Sequence, residues 1–161
     1  MAADHKSGIS ISGKEDLKDG NTNLTYSISG KCKRIDDKEV CDIIARAFKV
    51  WADVSLLTFR PVDADANIKL SFEDGDHFTE GDPTHSNPLS ESETGGLIHF
   101  DDDENWKGMK DQSKGGINLF LAAVHEIGHV LGLPDKDFQK TSMYKSYAND
   151  KTFALNKAIL K

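Results

Sequence analysis

His125-Glu126-Ile127-Gly128-His129 lies inside the run Ile117 to Leu131. Apolar residues recur through that run at Leu119, Phe120, Ala123, Val124, Ile127 and Leu131, the spacing of an amphipathic helix. Side chains four residues apart on a helix stack one turn above each other on one face. Two imidazoles placed this way, His125 and His129, can reach one ion, with Zn–N distances of about 2.0–2.1 Å. Glu126 stands beside the first of them, where its carboxylate can act on a water at the metal. Gly132 closes the helix and Pro134 blocks its continuation. The order His129-x-x-Gly132-x-x-Asp135 then offers a third donor, because a glycine can turn the chain sharply enough to bring Asp135 back under the metal.

The rest of the chain reads outward from this helix. Its 161 residues carry 20 Lys+Arg against 27 Asp+Glu, a net charge of −7. That length makes one domain, and the acidic balance without a basic stripe argues against a nucleic-acid partner. No apolar run is long enough to span a membrane, and no apolar stretch after Met1 reads as a signal peptide. Five of the six histidines, His77, His85, His99, His125 and His129, cluster among the acids, which points to metal. The run Asp101-Asp102-Asp103-Glu104 reads either as a solvated loop or as oxygen ligands for a hard cation such as calcium.

Residues 1–22 are polar and read as a loose N-terminal arm. Leu24–Ile28, Leu57–Val62, Asn67–Phe72 and Gly96–Phe100 read as strands. Between the first two, Val40, Ile43, Ile44, Ala47, Phe48 and Trp51 form the apolar stripe of a helix from Asp37 to about Asp53, capped by Asp36 or Asp37. Residues 101–116 read as a polar connection, and a short helix is expected from about Asp150 to Leu160. Cys32 and Cys41 form an even pair, so either one disulfide ties the loop before the helix to its first turns or both are free thiols.

With these residues in view the chain resembles the matrixins, the catalytic domains of matrix metalloproteinases within the metzincin clan. The likeness runs over roughly residues 23–161. It rests on Leu24-Thr25-Tyr26, Ala45 to Trp51, Leu57-Thr58-Phe59, Ala66-Asn67-Ile68, Gly75-Asp76-His77, His99 to Trp106, Asn118 to Leu121, the zinc helix and Ser142-Met143-Tyr144. The resemblance implies an α+β zincin-like fold: a twisted, mixed five-stranded sheet on two long helices. An N-terminal subdomain reaches about residue 132, and a small C-terminal subdomain with a third helix fills 133–161. It also implies a fifth, edge strand near residues 83–88, against which substrate adds as a further strand.

The implied site residues follow. His125, His129 and Asp135 would hold a catalytic zinc, with Glu126 as general base and Met143 as an apolar floor. His77, His85 and His99 match the histidines of a second, structural zinc. The family's aspartate there is replaced by Thr79, and Asp82 is the nearest substitute. Asp101 and Glu104 match calcium ligands, with Leu121, Val124 and Tyr147 around an apolar pocket for the residue after the cut. The expected activity is a zinc-dependent endopeptidase. Its expected partners are peptide or protein substrates and protein inhibitors of metalloproteases, and the protein is expected to be a secreted, extracellular monomer whose native signal and propeptide lie outside this chain. The rival is a catalytically weak or inactive metal-binding module, motivated by the departure at Asp135.

That departure has a chemical consequence. Matrixins carry histidine where this chain has Asp135, an arrangement resembling the snapalysin branch. A carboxylate adds a negative charge to the ligand set, which predicts a weaker Lewis acid and activity either shifted to higher pH or lower than that of a three-histidine relative. The pH–rate profile of Asp135→His is expected to lie at lower pH than that of the wild type; coincident profiles would overturn this reading.

Overall fold

A computed structural model of the chain describes residues 22–74, 82–89, 95–111 and 113–135. Asn23–Ser29 forms β1, Thr58–Pro61 β2, Ile68–Glu73 β3, Thr84–Asn87 β4 and Gly96–Asp101 β5. They make one sheet in the order β2-β1-β3-β5-β4. The first three pairings are parallel, and β4 lies antiparallel on β5. The mixed five-stranded sheet is the one the resemblance implied, edge strand included. Each strand boundary read from the residues alone falls within about two residues of the observed one, as fraying ends allow.

Strict alternation aims the sheet. In β3, Ile68, Leu70 and Phe72 are buried, and in β5 Gly96, Ile98 and Phe100. These positions share one face, since side chains alternate across a strand. Phe72 stacks on Phe100, with centroids 5.2 Å apart, and Trp106 meets Phe100 edge-on at 5.5 Å.

Two helices cover that face. Asp37–Ala52 is α1. Asp36 caps it by accepting the Glu39 N–H at 3.0 Å, which satisfies one of the orphan donors of the first turn. Its Val40, Ile43, Ile44, Ala47, Phe48 and Trp51 are buried, and Tyr26 of β1 stacks on Phe48 at 4.2 Å. Leu119–Val130 is α2. The Trp51 indole N–H donates to the Val124 carbonyl across the helix pair at 2.9 Å, fully buried.

Two expectations need correction, and the alternative left open at the cysteines is resolved. Helix α2 starts at Leu119 rather than Ile117, because the Asn118 side chain caps it by accepting the Leu121 N–H. Ile117–Asn118 (β7) instead pairs in parallel with Trp106–Lys107 (β6), inside the stretch read as a polar connection. Cys32 and Cys41 are both free thiols. Cys32 turns into the core from its loop, whereas Cys41 lies exposed on α1, one position off the apolar stripe. The N-terminal arm, apart from Thr22, and the helix expected near 150–160 lie outside the described residues.

Burial pushes the Cys32 thiol up from its ordinary pKa, which disfavours the reactive thiolate. Iodoacetamide is therefore expected to modify Cys41 alone in the folded protein and both cysteines after unfolding, read as mass additions. No addition in either state would reveal a disulfide.

Candidate metal centre

Helix α2 carries the site, and its C-terminus shapes it. After the C-cap Leu131, Gly132 takes φ +91°, a backbone region that side-chain-bearing residues rarely enter. The Gly132 N–H donates to the His129 carbonyl and the Leu133 N–H to the Gly128 carbonyl, both at 2.9 Å. This pair of bonds is the Schellman ending, which satisfies the last helical carbonyls while reversing the chain. Reversal brings Leu133 and Asp135 back alongside the last turn.

Three donors then converge. His125 Nε2 and His129 Nε2 are 3.0 Å apart. Asp135 Oδ1 lies 3.2 Å from the first and 3.0 Å from the second. All three donor atoms fall within 4.8 Å of one another. Tetrahedral ligands at about 2.05 Å from zinc stand about 3.3 Å apart, so the donor set fits that ion. The His129 Nδ1 lies 2.8 Å from the Leu133 carbonyl. A carbonyl only accepts, so Nδ1 carries the hydrogen and Nε2 presents its lone pair to the other donors. The turn at Gly132 thus supplies both a donor side chain and the carbonyl that orients a second one. The site grades from buried His125 through half-buried His129 to exposed Asp135.

Glu126 is 5% exposed, an uncommon burial for a carboxylate. Its Oε1 accepts a 2.6 Å hydrogen bond from the hydroxyl of Thr84, itself buried. Thr84 belongs to edge strand β4 and lies 42 residues away in the chain. No local spacing links the two, so reading the sequence missed Thr84; the reach of an edge strand over the helix was the available signal.

The next residue of β4 faces the other way. His85 is in register with His99 of β5, and their rings lie 6.3 Å apart on the sheet face away from the helices. His99 Nε2 also lies 3.7 Å from Glu73 Oε1. Asp82 is exposed. His77, the third histidine of that expected set, lies outside the described residues, as do Met143 and Tyr147.

The acid run has a protein partner. Asp102 is buried, and its Oδ1 accepts the Lys33 N–H at 2.8 Å. The Lys33 ammonium reaches Asp74 at 2.9 Å and Asp103 at 3.1 Å, and these hydrogen bonds raise its pKa. Asp101 Oδ1 accepts the Asp103 N–H at 2.9 Å, and Glu104 is half-buried. Among the described residues, the group at His125, His129 and Asp135 is where three such donors come together. Leu121 is buried yet stands outside the main core cluster, whereas Val124 is wholly inside it.

The sequence profile of the matrixin family matches residues 18–158. Over 143 residues the chain is 38% identical to interstitial collagenase B of Mus musculus, an alignment covering 84% of this chain and 30% of that protein. It is 38% identical over 141 residues to matrix metalloproteinase-18 of Xenopus laevis, covering 82% and 29%. It is likewise 38% identical over 142 residues to matrix metalloproteinase-26 of Homo sapiens, covering 83% and 53%. The chain therefore spans from 29% to 53% of the length of these relatives.

Alanine at position 132 would have to hold a left-handed conformation costing about 1–2 kcal/mol. If that strain is relieved by opening the turn, Asp135 and the Leu133 carbonyl leave His129. Gly132→Ala is expected to weaken zinc binding by about tenfold or more, measured by competition with a chromophoric chelator. Unchanged affinity would show that the turn does not set the donor geometry.

Proposed function

The chain belongs to the matrixin family, a class of zinc metalloendopeptidases, and from that premise we propose that it hydrolyses peptide bonds at the centre formed by His125, His129 and Asp135. The observation that carries this reading is the convergence of three donor atoms within 4.8 Å, with a buried carboxylate one residue beyond the first donor. Zinc bound there supplies a Lewis acid for the scissile carbonyl and for the attacking water.

The remaining work falls to the chain's own groups. Glu126 takes the proton of the attacking water and delivers it to the leaving amine. Burial keeps its carboxylate out of bulk solvent, and Thr84 occupies one oxygen, leaving the other for the proton. His125 and His129 hold their donor nitrogens on one helix face, and the Leu133 carbonyl fixes the His129 ring. A module kept for metal binding alone has no use for a buried carboxylate in this position, so the catalytic reading is favoured.

Substrate is proposed to be an extended polypeptide. Strand β4 is the sheet edge, and a peptide adding to it gains backbone hydrogen bonds. Leu121 lies one turn before His125, and its burial outside the main core cluster supports an apolar pocket there, favouring Leu or Met after the cut. Collagen is the substrate that the name of the mouse relative carries; for this chain the class proposed is a protein with an apolar residue at that position. A second, structural zinc at His77, His85 and His99 with Asp82 is supported by the facing of His85 and His99 across β4 and β5. Calcium at Asp101 and Glu104 and an extracellular setting rest on the family likeness. No described helix is long and apolar enough to cross a membrane.

Glu126→Ala is expected to lose at least about a hundredfold in kcat toward a quenched fluorogenic peptide with leucine after the cut. The same variant should retain zinc by metal analysis. Turnover near the wild-type level in the zinc-loaded variant would remove Glu126 from its role, and wild-type turnover insensitive to a chelator would remove the metal.

A further inference from the structure

The bond between Thr84 and Glu126 joins two parts of the molecule with different tasks. Strand β4 is the sheet edge, and α2 carries the donors and the carboxylate. The hydroxyl and the carboxylate oxygen are 2.6 Å apart, and both residues are 5% exposed. An ionised carboxylate only accepts, so the hydroxyl donates to it. Charge-assisted hydrogen bonds of this length are strong and directional. A glutamate otherwise swings its terminal carboxyl broadly about its last torsion.

The strand that carries the hydroxyl is itself held to the helix. Beyond β4, the Leu89 N–H donates to the Val130 carbonyl at 3.0 Å. Close approach of helix and sheet is built in at Gly96, where a Cβ would stand 2.5 Å from Val130 Cγ1 and 3.3 Å from Leu89 Cγ. Thr84 therefore presents its hydroxyl from a strand whose C-terminal continuation is tied to the end of α2 at Val130.

We infer that Thr84 is a positioning residue for the general base: its hydroxyl holds one oxygen of Glu126 so that the other faces the proton of the attacking water. This rests on the hydrolytic reading above. The role predicts an effect on the chemical step rather than on peptide binding, because orientation of the base matters only once the proton moves. Valine keeps the shape of threonine without the hydroxyl; serine keeps the hydroxyl without the methyl.

The test uses the full zinc-loaded chain and the quenched peptide with leucine after the cut. Thr84→Val is expected to lower kcat about tenfold with KM changed less than about twofold, and Thr84→Ser to restore kcat to within about twofold of wild type. A second readout needs neither zinc nor turnover. In the metal-free protein, Thr84→Val is expected to lower the unfolding midpoint by about 2–4 °C, and by less than half as much in a Glu126→Ala background, where the partner is gone. An unchanged kcat in Thr84→Val, a Thr84→Ser variant as slow as the valine, or equal midpoint shifts in both backgrounds would each overturn the positioning role while wild-type turnover stands. Absence of turnover in the zinc-loaded wild type would instead defeat the hydrolytic reading, and the role with it.

Discussion

The geometry of the centre depends on one backbone torsion. A helix by itself can offer His125 and His129 on one face, but a third donor must come from chain that has left the helix. Gly132, at φ +91°, makes that departure within a single residue. Two backbone bonds then lock the reversal, and Asp135 and the Leu133 carbonyl arrive together. Aspartate is shorter than histidine, so such a ligand demands a close backbone. The tight turn provides that closeness without help from a longer loop.

A second constraint comes from the pleat. Successive residues of a strand face opposite ways, and β4 uses this to divide its duties. Thr84 faces α2 and reaches the buried carboxylate. His85 faces outward, opposite His99. A slip of one residue in the pairing of β4 on β5 would exchange these faces and put an imidazole where the hydroxyl stands. The register Thr84↔Phe100 and His85↔His99 is thus as much a part of the centre as the residues on the helix.

Much of this was legible in the residues, and the limits have physical reasons. Helices announce themselves by period and caps, so α1 with Asp36 and the body of α2 could be read directly, as could three donors at fixed spacing around a glycine. Strand β4, Thr84-His85-Ser86-Asn87, has no apolar alternation, and only the family likeness placed a strand there. Strands β6 and β7 are two residues each, too short to carry a period, and the apolar Ile117 read instead as helix. The partners of Asp102 and Asp103 come from Lys33, 69 and 70 residues away. An acid run looks the same in sequence whether water, a cation or a distant lysine faces it.

The indole of Trp51 bonded to the Val124 carbonyl gives the molecule an optical gauge of its own. The chain has two tryptophans, and both are almost wholly buried. One is fastened to the helix that carries the donors, at the residue just before His125; the other lies edge-on against a sheet phenylalanine. Emission from these indoles is governed by the dry interior and shifts to the red when water reaches it. The seating of the donor-bearing helix on its neighbour can therefore be followed in the native, unlabelled chain by light alone.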